Sequence, residues 1–274
     1  QQKYQTAKPW TYWWWMGSAV NKSDIKDQLS EFAKAGLGGV HIVPIYGVKG
    51  YEDQFKSFLS EEWLEAVEFT IAEAEKLDLG VDMTLGTGWP YGGNWITRKH
   101  AAKKIISREF EFKKTDFISL NLEKIKSKAG LFEVLAVYAS NGKERINLKD
   151  QINKKKITCN VPKANWTVTV FGIAQTEQLV KRAAPGGEGF VVDYFDKESV
   201  DFYLNHFDSV FTNTKHPIKP RAFYHDSYEV YRANWTNHFL DVFKRLQGYN
   251  LLDYLYILED RTEQDYPLII HDVK

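Results

Sequence analysis

The sequence predicts an α/β protein: a partial (β/α)8 TIM-like barrel of about four β/α units, interrupted by an antiparallel β insertion. Three observations lead there. Apolar runs alternate with amphipathic segments from Thr11 to Pro90 over short connections, the pattern of a parallel sheet. From about Ile105 to Ile173 that rhythm gives way to short β-rich runs separated by turn residues. Helical spacing then returns at Asp196. On these grounds residues 1–104 form the first barrel units, 105–175 the insertion, and 176–274 further units of an incomplete barrel.

TYWWWMGSAV (Thr11 to Val20) is β-rich and gives the first strand. Ser23 is placed to cap a helix with Ile25, Leu29 and Phe32 on one face, and Gly36 ends it in the C′ position. GGVHIVPIYG (Gly38 to Gly47) is almost continuously apolar, as a parallel strand buried on both faces should be. After a loop to Leu59, Ser60 caps a second helix whose first turn carries Glu61 and Glu62 at the positive end of its dipole. Trp63, Val67, Ile71 and Ala74 form its apolar stripe, and Gly80 closes it. GVDMTLGTGWP (Gly80 to Pro90) is the third strand. The insertion reads as five runs: SREFEFKK, DFISLNL, EVLAVYAS, KKITCNV and NWTVTVFGI. SNGK (Ser140 to Lys143) marks a turn, and Lys154 to Lys156 a solvated hairpin tip. DKESVDFYLNHF places Val200, Tyr203, Leu204 and Phe207 on one side of a helix. AFYHD is the fourth strand. NWTNHFLDVFKRLQGYN is the helix after it, with Phe239, Leu240 and Phe243 inward and Gly248 at its end.

Composition removes several classes of function. With 274 residues, 43% of them hydrophobic, the chain can bury the core of one large or two medium domains. Its 36 basic residues balance 36 acidic ones, whereas a nucleic-acid partner calls for a basic excess. The single cysteine, Cys159, rules out an intrachain disulfide and a cysteine-rich metal site. No run of 18 apolar residues offers a membrane span. QQKYQTAKPW has neither an initiator methionine nor an apolar signal core, as a processed or trimmed start would read. The aromatics point the other way, toward a ligand. Trp and Tyr crowd beside Gly, Pro and Asp, and rings held at loop level suit stacking on sugars or other flat apolar ligands.

RAFYHDSYEVYRANWT (Arg221 to Thr236) leads the fourth strand into a loop that offers Asp226 and Glu229 among aromatic rings. In β/α barrels the chemistry sits where strands end and loops begin. His41 lies within an apolar strand just before Pro44 and Tyr46, either as a pocket-facing hydrogen-bond donor or as a satisfied core histidine. His225 and Asp226 are strand neighbours that point to opposite faces, so they do not readily share a ligand. Along the tryptophan run, Trp13 and Trp15, or Trp14 alone, can face the barrel interior. GTGWPYGG (Gly86 to Gly93) lacks the Lys-Ser/Thr of a phosphate loop and suits a loop lining a sugar site. GLGGV stands between helix and strand, the reverse of a dinucleotide fingerprint. No nucleophile elbow is present.

PWTYWWWMGSAV, AGLGGVHIVPIYG, GTGWPYGG, KRAAPGGEGFVVDYF, HDSYEVYRANWT and the helix ending LQGYN, in that order from Pro9 to about Tyr254, together resemble glycoside hydrolase family 106, the α-L-rhamnosidases. The resemblance implies inverting hydrolysis of terminal rhamnose from plant polysaccharides, a calcium ion in the sugar site, and a periplasmic or secreted location. It matches Glu229 of DSYE to an active-centre glutamate expected to act as general acid. It places aromatics of the Trp13 to Trp15 run, His41, Trp89 and Asp226 in segments expected to line the sugar pocket; with Tyr46 and Trp235, the residues Trp13, Trp15, His41, Trp89 and Asp226 are the candidates for oligosaccharide or polysaccharide binding. Family members continue with further barrel strands, including a segment of the form HGSP followed by PETE that carries the expected base. Those segments are missing from this sequence. The expectation is therefore a fragment, without the second carboxylate, inactive alone, and open to self-association through bare sheet edges. A non-catalytic carbohydrate-binding protein and an inactive truncated domain are the alternatives.

Inverting hydrolysis needs a protonated carboxyl to protect the leaving oxygen and an ionised one to activate water, separated by about 6.5–9.5 Å. A Glu that stays protonated near neutral pH requires desolvation or a nearby negative charge. Tyr224, Tyr228, Tyr231 and Trp235 are expected to wall Glu229 off from water, with Asp226 as the repelling charge.

Overall fold

A computed structural model describes residues 7–125, 133–213, 218–225 and 227–274 of the chain. Its elements run β1 (Trp10–Met16), α1 (Lys22–Lys34), β2 (Gly39–Ile45), α2 (Glu61–Lys76), β3 (Gly80–Thr84) and the short β4 (Gly92–Gly93). Next come β5 (Lys103–Asn121), β6 (Glu133–Ser140), β7 (Arg145–Asn147), β8 (Ile152–Asn153) and β9 (Lys156–Gln175). The chain continues with β10 (Phe190–Val191), α3 (Lys197–Thr212), β11 (Ala222–Tyr224), α4 (Phe239–Gln247) and α5 (Tyr266–Val273). The architecture is mixed α/β, with one parallel and one larger antiparallel sheet. By contacts it divides into residues 1–102 with 177–231, and residues 103–176 with 232–274.

The first unit is built on a parallel sheet in the order β1-β2-β3-β11. Alternation along β1 gives its two faces different fates. Trp13 and Trp15 are buried, while Tyr12, Trp14 and Met16 remain about half exposed. The buried tryptophans join Val40, Ile42, Val81 and Met83 of the sheet in one core with Ile25 and Leu29 of α1, Trp63 and Val67 of α2, and Tyr203 and Phe207 of α3. Each such side chain removed from water contributes about 1.5–3 kcal/mol. All three helices thus cover the same face, and the Tyr12 face stays open.

Details of the caps and stripes differ from the sequence reading. Asn21, not Ser23, caps α1: its Oδ1 accepts from the Asp24 amide at 3.0 Å. Ser60 caps α2 as expected, accepting from the Trp63 amide. The left-handed exit from α2 is Asp78, and Gly80 instead opens β3. There the Trp10 ring lies so close that a Cβ on Gly80 would stand 2.3 Å from it. On α3 the buried series is Ser199, Tyr203, Phe207 and Phe211, leaving Leu204 outside.

In the second unit the order is β5-β9-β6-β7 with β8 on β9, all antiparallel. Runs read as separate strands are continuous here. β5 joins SREFEFKK to DFISLNL, and β9 joins KKITCNV to NWTVTVFGI. Register shifts between Phe112 and Thr115 and between Thr115 and Phe117 absorb the intervening residues, so bulges replace the expected turns. Lys154 and Lys155, both with positive φ, do form a hairpin tip. One side of the sheet closes over Trp166, Val168, Val170, Val137 and Ile118. On another cluster Ala136, Tyr138 and Phe171 meet Phe243 of α4, Leu251, Leu255 and Ile269 of α5. This apolar patch explains why residues 232–274, expected as barrel units, pack with the insertion. Among the described residues no helix is long and apolar enough to cross a membrane.

Candidate functional site

Three segments of the first unit meet at the C-terminal ends of β2, β3 and β11. They are the glycine-rich loop 86–93, a strap at 177–182, and the loop 227–231 that follows β11. Trp89 and Lys181 face each other as an antiparallel bridge, with the Lys181 amide donating to Trp89 O at 2.8 Å and the Trp89 amide to Lys181 O at 3.1 Å. Gly88 makes this approach possible. It has φ +50°, and a Cβ there would stand 2.0 Å from Lys181 O. The Arg182 carbonyl accepts from the Tyr46 amide at 3.1 Å, tying the strap to the end of β2. The Arg182 guanidinium lies 5.2 Å from the Tyr46 ring centroid and 5.7 Å from that of Trp89.

Glu229 sits against this assembly. Tyr231 Oη donates to Glu229 Oε1, and Lys181 Nζ lies 3.5 Å from Oε2. Lys181 Nζ also donates to Tyr231 Oη at 2.6 Å and stands over the Tyr231 ring. The Gln178 side chain holds the backbone beneath: Nε2 donates to Glu229 O at 2.8 Å, and Oε1 accepts from the Tyr231 amide at 2.5 Å. The Tyr231 hydroxyl first, with Lys181 and the Trp89 side chain after it, holds the Glu229 carboxyl below the usual carboxylate range, while partial desolvation acts in the other direction. These donors favour the ionised form over the expected neutral glutamate, and the expected repelling charge, Asp226, lies outside the described residues. Tyr231 serves as a donor to the carboxylate, where an apolar wall was expected.

The other expected residues divide. Trp89 and Tyr46 belong to the Glu229 assembly. Trp13 and Trp15 do not: they face the helices, with Trp13 Nε1 donating to Gln28 Oε1 at 2.8 Å and Trp15 packed on Trp63. Trp14 takes the open face instead, stacked with Tyr12 at 5.5 Å. His41 is on that face too, its Nε2 2.9 Å from Thr84 Oγ1 and its ring 5.0 Å from those of Tyr12 and Tyr224. With Tyr12, Trp10, Asp82 and Arg221 it lines a cleft of about 340 Å³. Arg221 grips Asp82 there, with Nε 2.9 Å from Oδ1. Trp235 is buried in the second unit beside Phe239 and Phe243, so it is core, not a wall for Glu229. Asp226 lies outside the described residues. Its neighbour His225 stacks on Tyr91 at 3.4 Å, bonded to Ser227 O.

Sequence reasoning missed Gln178, Lys181 and the donor role of Tyr231. The available signal was the basic pair Lys181-Arg182 opening a glycine-rich stretch in a chain whose other loops carry rings. As for calcium, among the described residues no three His, Cys, Asp or Glu side chains converge. The donor set that a calcium ion needs, six to eight oxygens, is therefore not assembled by these carboxylates.

Comparisons with known proteins agree in kind. A curated protein of Formosa agariphila named "Putative beta-glucuronidase" is 26% identical over 298 aligned residues, spanning 91% of this chain and 25% of its own length. A solved rhamnosidase structure from Novosphingobium sp. PP1Y superposes with a TM-score of 0.65 at 17% identity, over 92% of this chain and 41% of that one. That likeness speaks to the fold. The chain thus spans about a quarter of the curated relative and well under half of the solved one. The sequence model of glycoside hydrolase family 106, described as alpha-L-rhamnosidase, matches residues 1–157 and 139–265, and the chain belongs to that family.

Proposed function

We propose that this chain supplies part of the sugar site of a glycosidase, rhamnosidase-like, acting on rhamnose-containing plant polysaccharides by inversion. The observation that carries the reading is Glu229, a carboxylate with polar anchors at the mouth of a parallel sheet, beside Trp89 and Tyr46. In this reaction the anomeric carbon–oxygen bond breaks, the leaving oxygen takes a proton from one carboxyl, and water attacks the opposite face with help from a second. Glu229 is one of that pair. Its donor-rich surroundings favour the ionised form, so service as the proton donor needs a further negative charge close by. The open aromatic face of the four parallel strands supports a larger (β/α)8 barrel, in which Tyr12, Trp14 and His41 point inward. Export to the periplasm or beyond follows from the proposed polymeric substrate.

Glu229→Gln tests the assignment in a protein that contains this chain and turns over an aryl rhamnoside. The expected loss in kcat/KM is about 10²–10⁴-fold. Undiminished turnover removes Glu229 from catalysis. An aryl glucuronide assayed alongside decides between the sugars named for the two relatives.

The ionised state of Glu229 also favours a second reading, a carbohydrate-binding site without chemistry, because a carboxylate accepts hydrogen bonds from sugar hydroxyls as it stands. Calorimetry showing rhamnoside bound without turnover supports that reading.

A further inference from the structure

We propose that Gln178 and Lys181 are positioning residues, a two-point clamp by which the strap 177–182 sets the direction and the charge of the Glu229 carboxylate. The inference rests on the reading that Glu229 is a working carboxylate, and its test does not.

The two points act on different parts of the glutamate. Gln178 reads backbone: by giving to Glu229 O and taking from the Tyr231 amide, one side chain stands in for a strand neighbour. It fixes a loop that the three-residue β11 is too short to brace by sheet pairing. Lys181 reads the side chain. Its ammonium reaches Glu229 Oε2 directly and Oε1 through the Tyr231 hydroxyl, which accepts from Lys181 and donates to the carboxylate. Among the described residues, the side chains that act on the carboxyl in this way are donors: Tyr231 from its own loop, Lys181 from the strap, and Trp89 from the glycine-rich loop. A protonated carboxyl would leave one of these donors without its acceptor.

Because the strap is also bonded to Trp89 and Tyr46 along its backbone, displacing it moves the anion and the adjoining rings together. Chain chemistry gives the strap its place. Gly88 admits it on one side, and Arg182 turns it with φ +55°.

The sign of the pH dependence follows from this geometry. The carboxyl of Glu229 titrates below its ordinary value of 4.5 in the folded chain. Its clamp contacts thus add stability above that value and lose it as pH falls through the lower, folded one.

The experiment is carboxyl-carbon NMR titration of the chain with labelled glutamate, the Glu229 signal being assigned by its loss in Glu229→Gln. Expected is a low midpoint in the unaltered chain, a rise toward the ordinary value in Lys181→Met, and a return to the low midpoint in Lys181→Arg. In Gln178→Ala the Tyr231 amide, deprived of its acceptor, exchanges about fivefold faster with solvent. A Lys181→Met midpoint equal to that of the unaltered chain, or unchanged Tyr231 exchange in Gln178→Ala, overturns the clamp. Neither readout uses turnover. Failure of Glu229→Gln to slow hydrolysis therefore sinks the catalytic reading and leaves the clamp standing.

Discussion

Three adjacent tryptophans show how far a single position decides a role. Trp13 and Trp15 alternate with Trp14, so a strand must send them to opposite faces, and the sequence makes that much plain. Which face meets the helices is not written in the run, because all three residues are equally apolar. It is settled by Phe32 and Trp63, whose rings meet Trp13 and Trp15 edge-on. The two classes should separate on truncation. Trp13→Ala is expected to cost about 3–5 kcal/mol of stability in denaturant unfolding, the range for an emptied aromatic core site. Trp14→Ala, half exposed, should shift stability by only about 0.5 kcal/mol. Equal losses would mean that both rings are core and that the open face is closed over. Glu229 teaches the complementary lesson. Its place at the end of the fourth strand was legible in the sequence, whereas its charge state depends on the Tyr231 hydroxyl and on Lys181, and no local pattern reports that second partner, 48 positions earlier in the chain.

Among the elements, those with strong local signals were read correctly: β1 to β3, the helices after them, and the Ser60 and Gly248 caps. The long strands of the insertion were not, because Lys113 to Asp116 and Val161 to Asn165 carry turn-like residues that bulges accommodate within a ladder. The short strap was also invisible. It has almost no regular structure of its own and exists through bonds to the glycine-rich loop. That dependence makes Gly88 the sensitive point. A methyl group there meets Lys181 O at 2.0 Å, and the left-handed backbone adds about 1–2 kcal/mol of strain for any other residue. Gly88→Ala is expected to lower the thermal midpoint and to remove hydrogen-exchange protection from the Trp89 and Lys181 amides, while amides in the interior of β9 keep theirs. Retained protection at Lys181 would show that the strap does not need this glycine.

For the chain as a unit in solution, the parallel sheet combines an edge strand with an open aromatic face. Among the described residues β1, seven residues long, is the edge strand of this sheet, and the open face beside it carries Tyr12, Trp14 and Met16 at 44–49% exposure. Bare edges and contiguous apolar patches both recruit other chains. Tyr224 and the half-buried His41 extend the same surface across the sheet. The net charge of zero supplies no long-range repulsion against association. The chain on its own is therefore expected to self-associate in a concentration-dependent way, seen as a rising weight-average sedimentation coefficient. Trp14→Lys should suppress it, since a lysine at the middle of an exposed edge makes pairing with a second copy unfavourable without touching the helix-covered core. Lys154→Glu, at the hairpin tip of the other unit, should leave association unchanged and controls for charge alone. A chain that sediments as a monomer at every concentration, with and without Trp14→Lys, would mean that the Tyr12 face is covered from within the chain, and the barrel proposed around that face would lose its main support.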